Sequence, residues 1–382
     1  MELLSRRDVE FNLFDARERM AMKVDKRNIV RLAGAYAAWV MGSGFATGQE
    51  ILQFFTSFGY WSFLVILVTA VVFYIVGSRI LIAGQLYGKE KGFDPFKFLC
   101  GNKLGAFYSW FVPVSMFASM IILLSGSGAT LQQNFGLNHV VGALLMAVLA
   151  YVAYRIGFWR FVKVVSFIGP TIIVFVFIVG GITLFRNNFD TTQASLSFES
   201  LSAARPVPFW WLAAFLYGAY NLCDGTKYYS RLGLEGASPK EAKLVALFGT
   251  AGLMLAILIM NAAMLTDAVH VVGVGIPTLY LAQAISPWLS AVFSAILICG
   301  IFSSCSAMLW TVCEKFVVQG TKRSYAFAAA VIGVAFLGGM LPFADLIRVV
   351  YTAVGFLELA FVVRVLFWRQ KDFQSAQGAG EE

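Results

Sequence analysis

Ala38-Trp-Val-Met-Gly-Ser-Gly-Phe-Ala-Thr-Gly-Gln-Glu50 lies inside the first long apolar segment of the chain, and its reading decides the rest. From Gly42 to Glu50 it holds three glycines, two hydroxyls, an amide and a carboxylate. Lipid offers such groups no hydrogen-bond partner. Irregular backbone at that depth survives only where protein buries it or a wet cavity receives it. A glycine-interrupted hydrophobic segment is the pattern that points to the binding site of a secondary transporter.

The surroundings agree. Of 382 residues, 59% are hydrophobic and 13% charged, about half the ~25% charged share of soluble domains. Mean hydropathy is +0.76. Apolar runs of ~18 residues or more, each enough to cross ~30 Å of hydrocarbon, recur along the chain. They predict spans at 30–57, 61–86, 105–133, 138–155, 162–185, 207–230, 242–266, 288–315, 324–341 and 346–368. The fold class expected is an all-α polytopic membrane protein.

The net charge of +8 is an orientation signal rather than a nucleic-acid surface. Lys23, Lys26, Arg27 and Arg31 precede the first span, and Lys89, Lys91, Lys97 and Lys103 follow the second. Arg155, Arg160 and Lys163 follow the fourth, Arg231, Lys240 and Lys243 the sixth, Lys315, Lys322 and Arg323 the eighth, and Arg369 and Lys371 the tenth. The opposite loops carry mainly Arg186 and Arg205. The positive-inside rule then puts both termini in the cytoplasm of a bacterial inner membrane. No apolar h-region precedes residue 28, so residues 1–28 read as a cytoplasmic tail, as do 371–382. The five cysteines form no metal-like spacing, and His139 and His270 are isolated, so no cofactor is expected. With no phosphate loop and no nucleophile beside a base, the chain does not read as an enzyme.

Spans one to five (29–186) and six to ten (207–370) form two halves. Each has an odd number of crossings, so the second runs inverted. The sixth span is again interrupted, in Ala214-Phe-Leu-Tyr-Gly-Ala-Tyr-Asn-Leu-Cys-Asp-Gly-Thr-Lys227. Paired interruptions are what an inverted-repeat transporter needs. Pro277 and Pro287 bracket a segment too short to cross, which reads as a re-entrant or lid helix.

MGSGFATGQE followed by ILQFFTSFGYWSF resembles the YkvI-type amino-acid permeases of bacteria, in the amino acid–polyamine–organocation superfamily. The resemblance covers nearly all of the chain after residue 28. It implies the five-plus-five inverted-repeat fold with helices one and six broken, shared with neurotransmitter:sodium symporters. In the sodium-coupled relatives, a hydroxyl pair in the eighth helix joins carbonyls of that helix and the first around the ion. The matching positions are Ser303, Ser304 and Gly300, with Ala38 and Met41. Relatives also gate with an Arg and an Asp from helices one and ten. Here Glu50 and Arg348 stand with the signs swapped.

The residues point to a cargo. Unwinding around Gly42–Thr47 would free amides for a carboxylate and carbonyls for a cation, which suits a zwitterion. Gly42, Ser43, Gly44, Phe45, Ala46, Thr47 and Gln49 are the candidate binding residues from the first span. Tyr217, Tyr220 and Asn221 come from the sixth and Ser119 from the third, with Phe215, Met116 and Met120 as further wall. Asp224 and Lys227 are spaced to pair on one helical face. Alternatively, Lys227 or the deep Glu358 exchanges a proton. The function expected is alternating-access transport of an amino acid or similar small zwitterion, coupled to Na⁺ or H⁺, with no nucleic acid and no obligate protein partner. The alternative is an amino-acid sensor of the germinant-receptor type, with no net flux.

Overall fold

In the computed structural model, residues 25–157, 168–192, 194 and 198–368 are described. Residues 1–24 of the expected N-terminal tail, the expected C-terminal tail, the start of the fifth span and part of the connection between the fifth and sixth spans lie outside these residues, while Lys26–Asn28 already belong to the first helix. Every regular element among them is helical, and the chain is an all-α polytopic membrane protein.

The first span is divided into α1 (Lys26–Val40), α2 (Ser43–Thr47) and α3 (Gln49–Phe54). A 3₁₀ turn, Thr56–Trp61, leads into α4 (Ser62–Tyr87). Then follow α5 (Pro95–Phe135), α6 (His139–Ile156), α7 (Ile168–Arg186) and the short α8 (Phe198–Ala203). The sixth span is α9 (Trp210–Asp224) with α10 (Thr226–Leu234). After it come α11 (Pro239–Leu265), the short α12 (Ala268–Val271), α13 (Pro277–Ile285), α14 (Pro287–Phe316) and α15 (Lys322–Gly339). The tenth span is α16 (Phe343–Leu346), a π turn at Ile347–Tyr351, and α17 (Thr352–Leu366).

Six uninterrupted helical runs among the described residues are long and apolar enough to cross a bilayer. Neither the first nor the sixth span is among them, because each is cut into pieces. The starts follow local chemistry. Asp94 accepts from the amides of Phe96 and Lys97, with Pro95 opening α5, and Ser238 accepts from Glu241 N with Pro239 opening α11. The third span begins ten residues earlier than its apolar run, since this cap starts a helix that kinks at Gly101 (φ 79°). The lid helix expected between Pro277 and Pro287 is α13, clamped by Gln133, which donates to Ile276 O and accepts from Ile276 N.

Which spans pack together is nearly unchanged when each is exchanged for the one five later. The first lies on the seventh as the sixth lies on the second, and the third meets the ninth as the eighth meets the fourth. Second with seventh, third with eighth and fourth with ninth map onto themselves. One exchange fails. The tenth lies along the sixth, with Gly355 against the Leu216 backbone, while the described part of the fifth scarcely touches the first.

Candidate functional site

The site begins where α1 stops. Gly42 is extended (φ −73°, ψ −167°), and Gly48 is left-handed (φ 82°). A side chain at Gly48 would be strained, and its Cβ would overlap Thr278 Oγ1 and the Met264 methyl. The residues between are not unwound, as the sequence suggested, but close a helical turn of their own. Ala46 N donates to Gly42 O (3.1 Å), Thr47 Oγ1 to Gly44 O (2.6 Å), and Gln49 N to Thr47 Oγ1 (3.2 Å). Each satisfies a backbone group that the glycines would otherwise leave bare.

The second interruption is slighter than expected. Gly225 keeps a right-handed helical conformation (φ −76°, ψ −7°), its N–H reaching Asn221 O. Asn221 Nδ2 donates to Tyr217 O (3.0 Å) and Thr226 Oγ1 to Leu222 O (2.8 Å), so side chains serve carbonyls around the joint. α9 ends and α10 begins there, and Asp224 is the last residue of α9.

Between the two interruptions lies a cavity of about 490 Å³. Ala38, Trp39, Gly42, Gly44, Phe45 and Glu50 line it from the first span, and Tyr220, Asn221, Asp224 and Tyr228 from the sixth. Met116 and Ser119 come from α5, Ser303, Ser304, Met308 and Thr311 from α14, and Tyr351 from the π turn. Among the described lining residues are two carboxylates and no Lys, Arg or His. Glu50 Oε2 accepts from Tyr220 OH (2.9 Å), and Tyr220 stacks on Tyr351 with centroids 4.6 Å apart. A Cβ on Gly44 would overlap Glu50 Oε1, so this glycine lets the carboxylate lie against the break. Asp224 Oδ2 accepts from Ser115 Oγ (2.9 Å).

Gly42, Gly44, Phe45, Tyr220, Asn221 and Ser119 therefore belong to the wall of this one cavity, as do Ala38, Ser303 and Ser304 of the sodium set. Met41 and Gly300 are buried and off that wall, as are Ala46, Thr47 and Gln49. The side chain of Ser43 lies outside the described residues. Tyr217 packs among Phe54, Phe55 and Phe73 instead of facing the cavity.

Two pairings drawn from the sequence are not formed. Arg348 binds Asp345 Oδ1 (2.7 Å) and Ala203 O (3.3 Å), while Glu50 turns inward to Tyr220, so the two do not meet. Spacing put both near one end, but the break rotates Glu50 toward the core. Lys227 does not bond to Asp224. It opens into a second cavity of about 840 Å³ that also meets Asp94, Arg231, Glu314 and Lys315. Asp224 is beside Glu358, which is fully buried.

Trp39, Tyr228, Tyr351, Met308 and Thr311 were not anticipated. Trp39 and Tyr228 flank the two interruptions and stack at 4.9 Å, and aromatic residues just outside the breaks were a usable sign. Nothing in the local pattern announces the π turn that presents Tyr351.

The larger cavity opens among the basic loops and shares Trp39, Met116, Asp224, Tyr228 and Thr311 with the smaller. Toward the other end, hydrogen bonds tie the first span and the turn after it to their neighbours. Gln49 Nε2 donates to Val274 O (3.3 Å), Gln53 Nε2 to Ala344 O (2.8 Å), Thr56 Oγ1 to Asn261 Oδ1 (2.9 Å) and Arg205 Nε to Ser57 O (2.9 Å).

Among known proteins, the chain is 28% identical over 352 residues to the "Uncharacterized membrane protein YkvI" of Bacillus subtilis (strain 168), covering 90% of this chain and 97% of that one. No protein-family model matches. Among solved structures, an Eremococcus coleocola manganese transporter bound to an aromatic bis-isothiourea compound superposes at a TM-score of 0.44. It shares 15% identity over 87% of this chain and 70% of the other. Among the described residues, no three His, Cys, Asp or Glu gather as a metal site.

Proposed function

We propose that the protein is a secondary transporter of the bacterial cytoplasmic membrane, carrying a small amino compound, with an amino acid as the leading class. The observation that carries this reading is the cavity between two interrupted helices, which shares lining residues with the larger cavity among the basic loops. It presents Glu50 and Asp224, with no cationic side chain among its described lining residues. A site held between two interrupted helices is what an alternating-access transporter needs. Two carboxylates in a low-dielectric pocket favour a cargo bearing an ammonium group, because a charge there needs a counter-charge. Aromatic walls from Trp39, Tyr220, Tyr228 and Tyr351 suit the rest of such a molecule and add cation–π attraction.

Cation coupling belongs to this proposal. Ser303 and Ser304 with the Ala38 backbone are neutral oxygen donors beside the break, a donor set that fits a hard monovalent cation. With the basic loops in the cytoplasm, the larger cavity lies on the inner side. Thermal unfolding of the purified protein with each of the twenty amino acids, in NaCl and in KCl, tests the reading. Stabilisation by an amino acid is expected. If no amino acid or simple amine stabilises the fold, the cargo class is wrong. If one binds but proteoliposomes show no flux or exchange, the chain is a sensor.

A further inference from the structure

Glu358 is an acid with nowhere to put a charge. It lies in the middle of α17 at 0% exposure, and no donor reaches either carboxylate oxygen with hydrogen-bond geometry. A buried carboxylate without partners is among the most expensive groups a membrane protein can hold. The groups around it supply no counter-charge. Cys223 and Asp224 face it from α9, and Ser115 and Tyr108 from α5. Tyr108 OH is spent on Leu357 O and the Ser115 hydroxyl on Asp224 Oδ2, whose other oxygen has no donor. From α4 the charged group is Arg79, which donates to Val365 O two turns further along. Lys227, one turn from Asp224 in sequence, opens into the basic-end cavity with Asp94 and Glu314.

We propose that Asp224 and Glu358 share one proton, taken up through the cavity at the basic end, and that this pair is a coupling site for proton-driven transport. Asp224 is the entry, since it lines both cavities while Glu358 is sealed behind it. The step is a simple transfer. A hydronium ion gives its proton to the Asp224 carboxylate and leaves as water. The resulting carboxylic acid donates it to Glu358, or hydrogen-bonds to it. Uptake leaves one negative charge on the pair instead of two, and the transfer between the two carboxylates keeps it at one. Asp224 ends α9 of the sixth span, and Glu358 is on the tenth span packed along it. Loss of the proton would leave two adjacent carboxylates in repulsion and shift that packing. An ammonium cargo arriving at Asp224 would compete with the proton for the same charge.

This rests on the transporter reading, so the test has two arms that fail separately. The first is infrared difference spectroscopy of the purified protein across a pH titration. A protonated-carboxyl band is expected in the parent chain, lost in Glu358→Gln and lost or shifted in Asp224→Asn and Ser115→Ala. A band that persists in both carboxyl variants, or no such band in the parent, overturns the proposal whether or not the protein transports. The second is amino-acid movement in proteoliposomes. For Glu358→Gln, counterflow exchange is expected to survive, while accumulation driven by a pH gradient falls to the equilibrium level. Undiminished pH-driven accumulation in Glu358→Gln overturns the coupling role. The infrared arm on the parent chain needs no variant to fold.

Discussion

The first and sixth spans are interrupted at matching places, yet by different means. The first break is conformational. An extended Gly42 and a left-handed Gly48 redirect the main chain twice, with one helical turn held between. The second is carried by side chains. Gly225 remains helical, and Asn221 and Thr226 serve nearby carbonyls where α9 gives way to α10. The lesson is that a broken helix in a membrane is a matter of where backbone hydrogen bonds go. Where glycine adopts a conformation closed to other residues, a large redirection costs little strain. Where hydroxyl and amide groups do the work, the helix survives and only a polar side chain is left at the joint. The first break thus delivers Glu50 to the cavity by folding the chain back, and the second delivers Asp224 by its position on the helix.

Substitutions at the two glycines test that difference most directly. Gly48→Ala is expected to cost about 2 kcal/mol or more, from the left-handed backbone plus overlap with Thr278 and Met264. Gly225→Ala faces no backbone penalty. Its Cβ meets Trp39 Nε1 and the Tyr229 ring at 2.7 Å, so its cost should be smaller and confined to repacking. Thermal unfolding of the two variants side by side decides it, and equal losses would erase the distinction drawn here.

Glu50→Gln comes next in expected effect. The amide still accepts from Tyr220, so stability should hold, but the charge facing the cavity is gone. Affinity for an ammonium-bearing ligand should fall about tenfold, ~1.4 kcal/mol. Calorimetry or ligand-induced thermal shift measures this, and unchanged affinity would remove Glu50 from the binding role. The smallest effect belongs to Thr226→Val, which keeps the shape and deletes the bond to Leu222 O. A loss of about 1 kcal/mol is expected in thermal or denaturant unfolding. No loss would show that the second joint needs no side-chain support.

Much of this was legible in the chain. The unusual density of glycine and polar groups between Gly42 and Glu50 located the first break, because such a run has one physical use at membrane depth. The lid helix could be read from two prolines. The alternating basic loops gave an expected orientation, and the larger cavity is lined by Arg231 and Lys315 from them. The cavity wall was partly read, since Gly44, Phe45, Tyr220 and Asn221 lie on interrupted segments that had to meet. Pairings were read badly. Glu50 with Arg348 followed from opposite charge and similar depth, and Asp224 with Lys227 from a three-residue spacing on a helix. Depth along an axis says nothing about which way a side chain turns around it. Beyond Gly42 the chain turns Glu50 inward to Tyr220, and Lys227 faces the cavity among the basic loops while Asp224 turns to Ser115.

What the sequence determined by itself is what short-range chemistry dictates. Apolar length sets a crossing, glycine and proline set an interruption, and lysine and arginine mark a side. Only the tertiary structure decided that Ser115 of the third span, Asp224 of the sixth and Glu358 of the tenth share one buried neighbourhood, and that Tyr351 reaches the cavity from a π turn. Those meetings join residues more than a hundred positions apart, and helix rotation and crossing, which no local pattern encodes, settle which faces are turned toward one another.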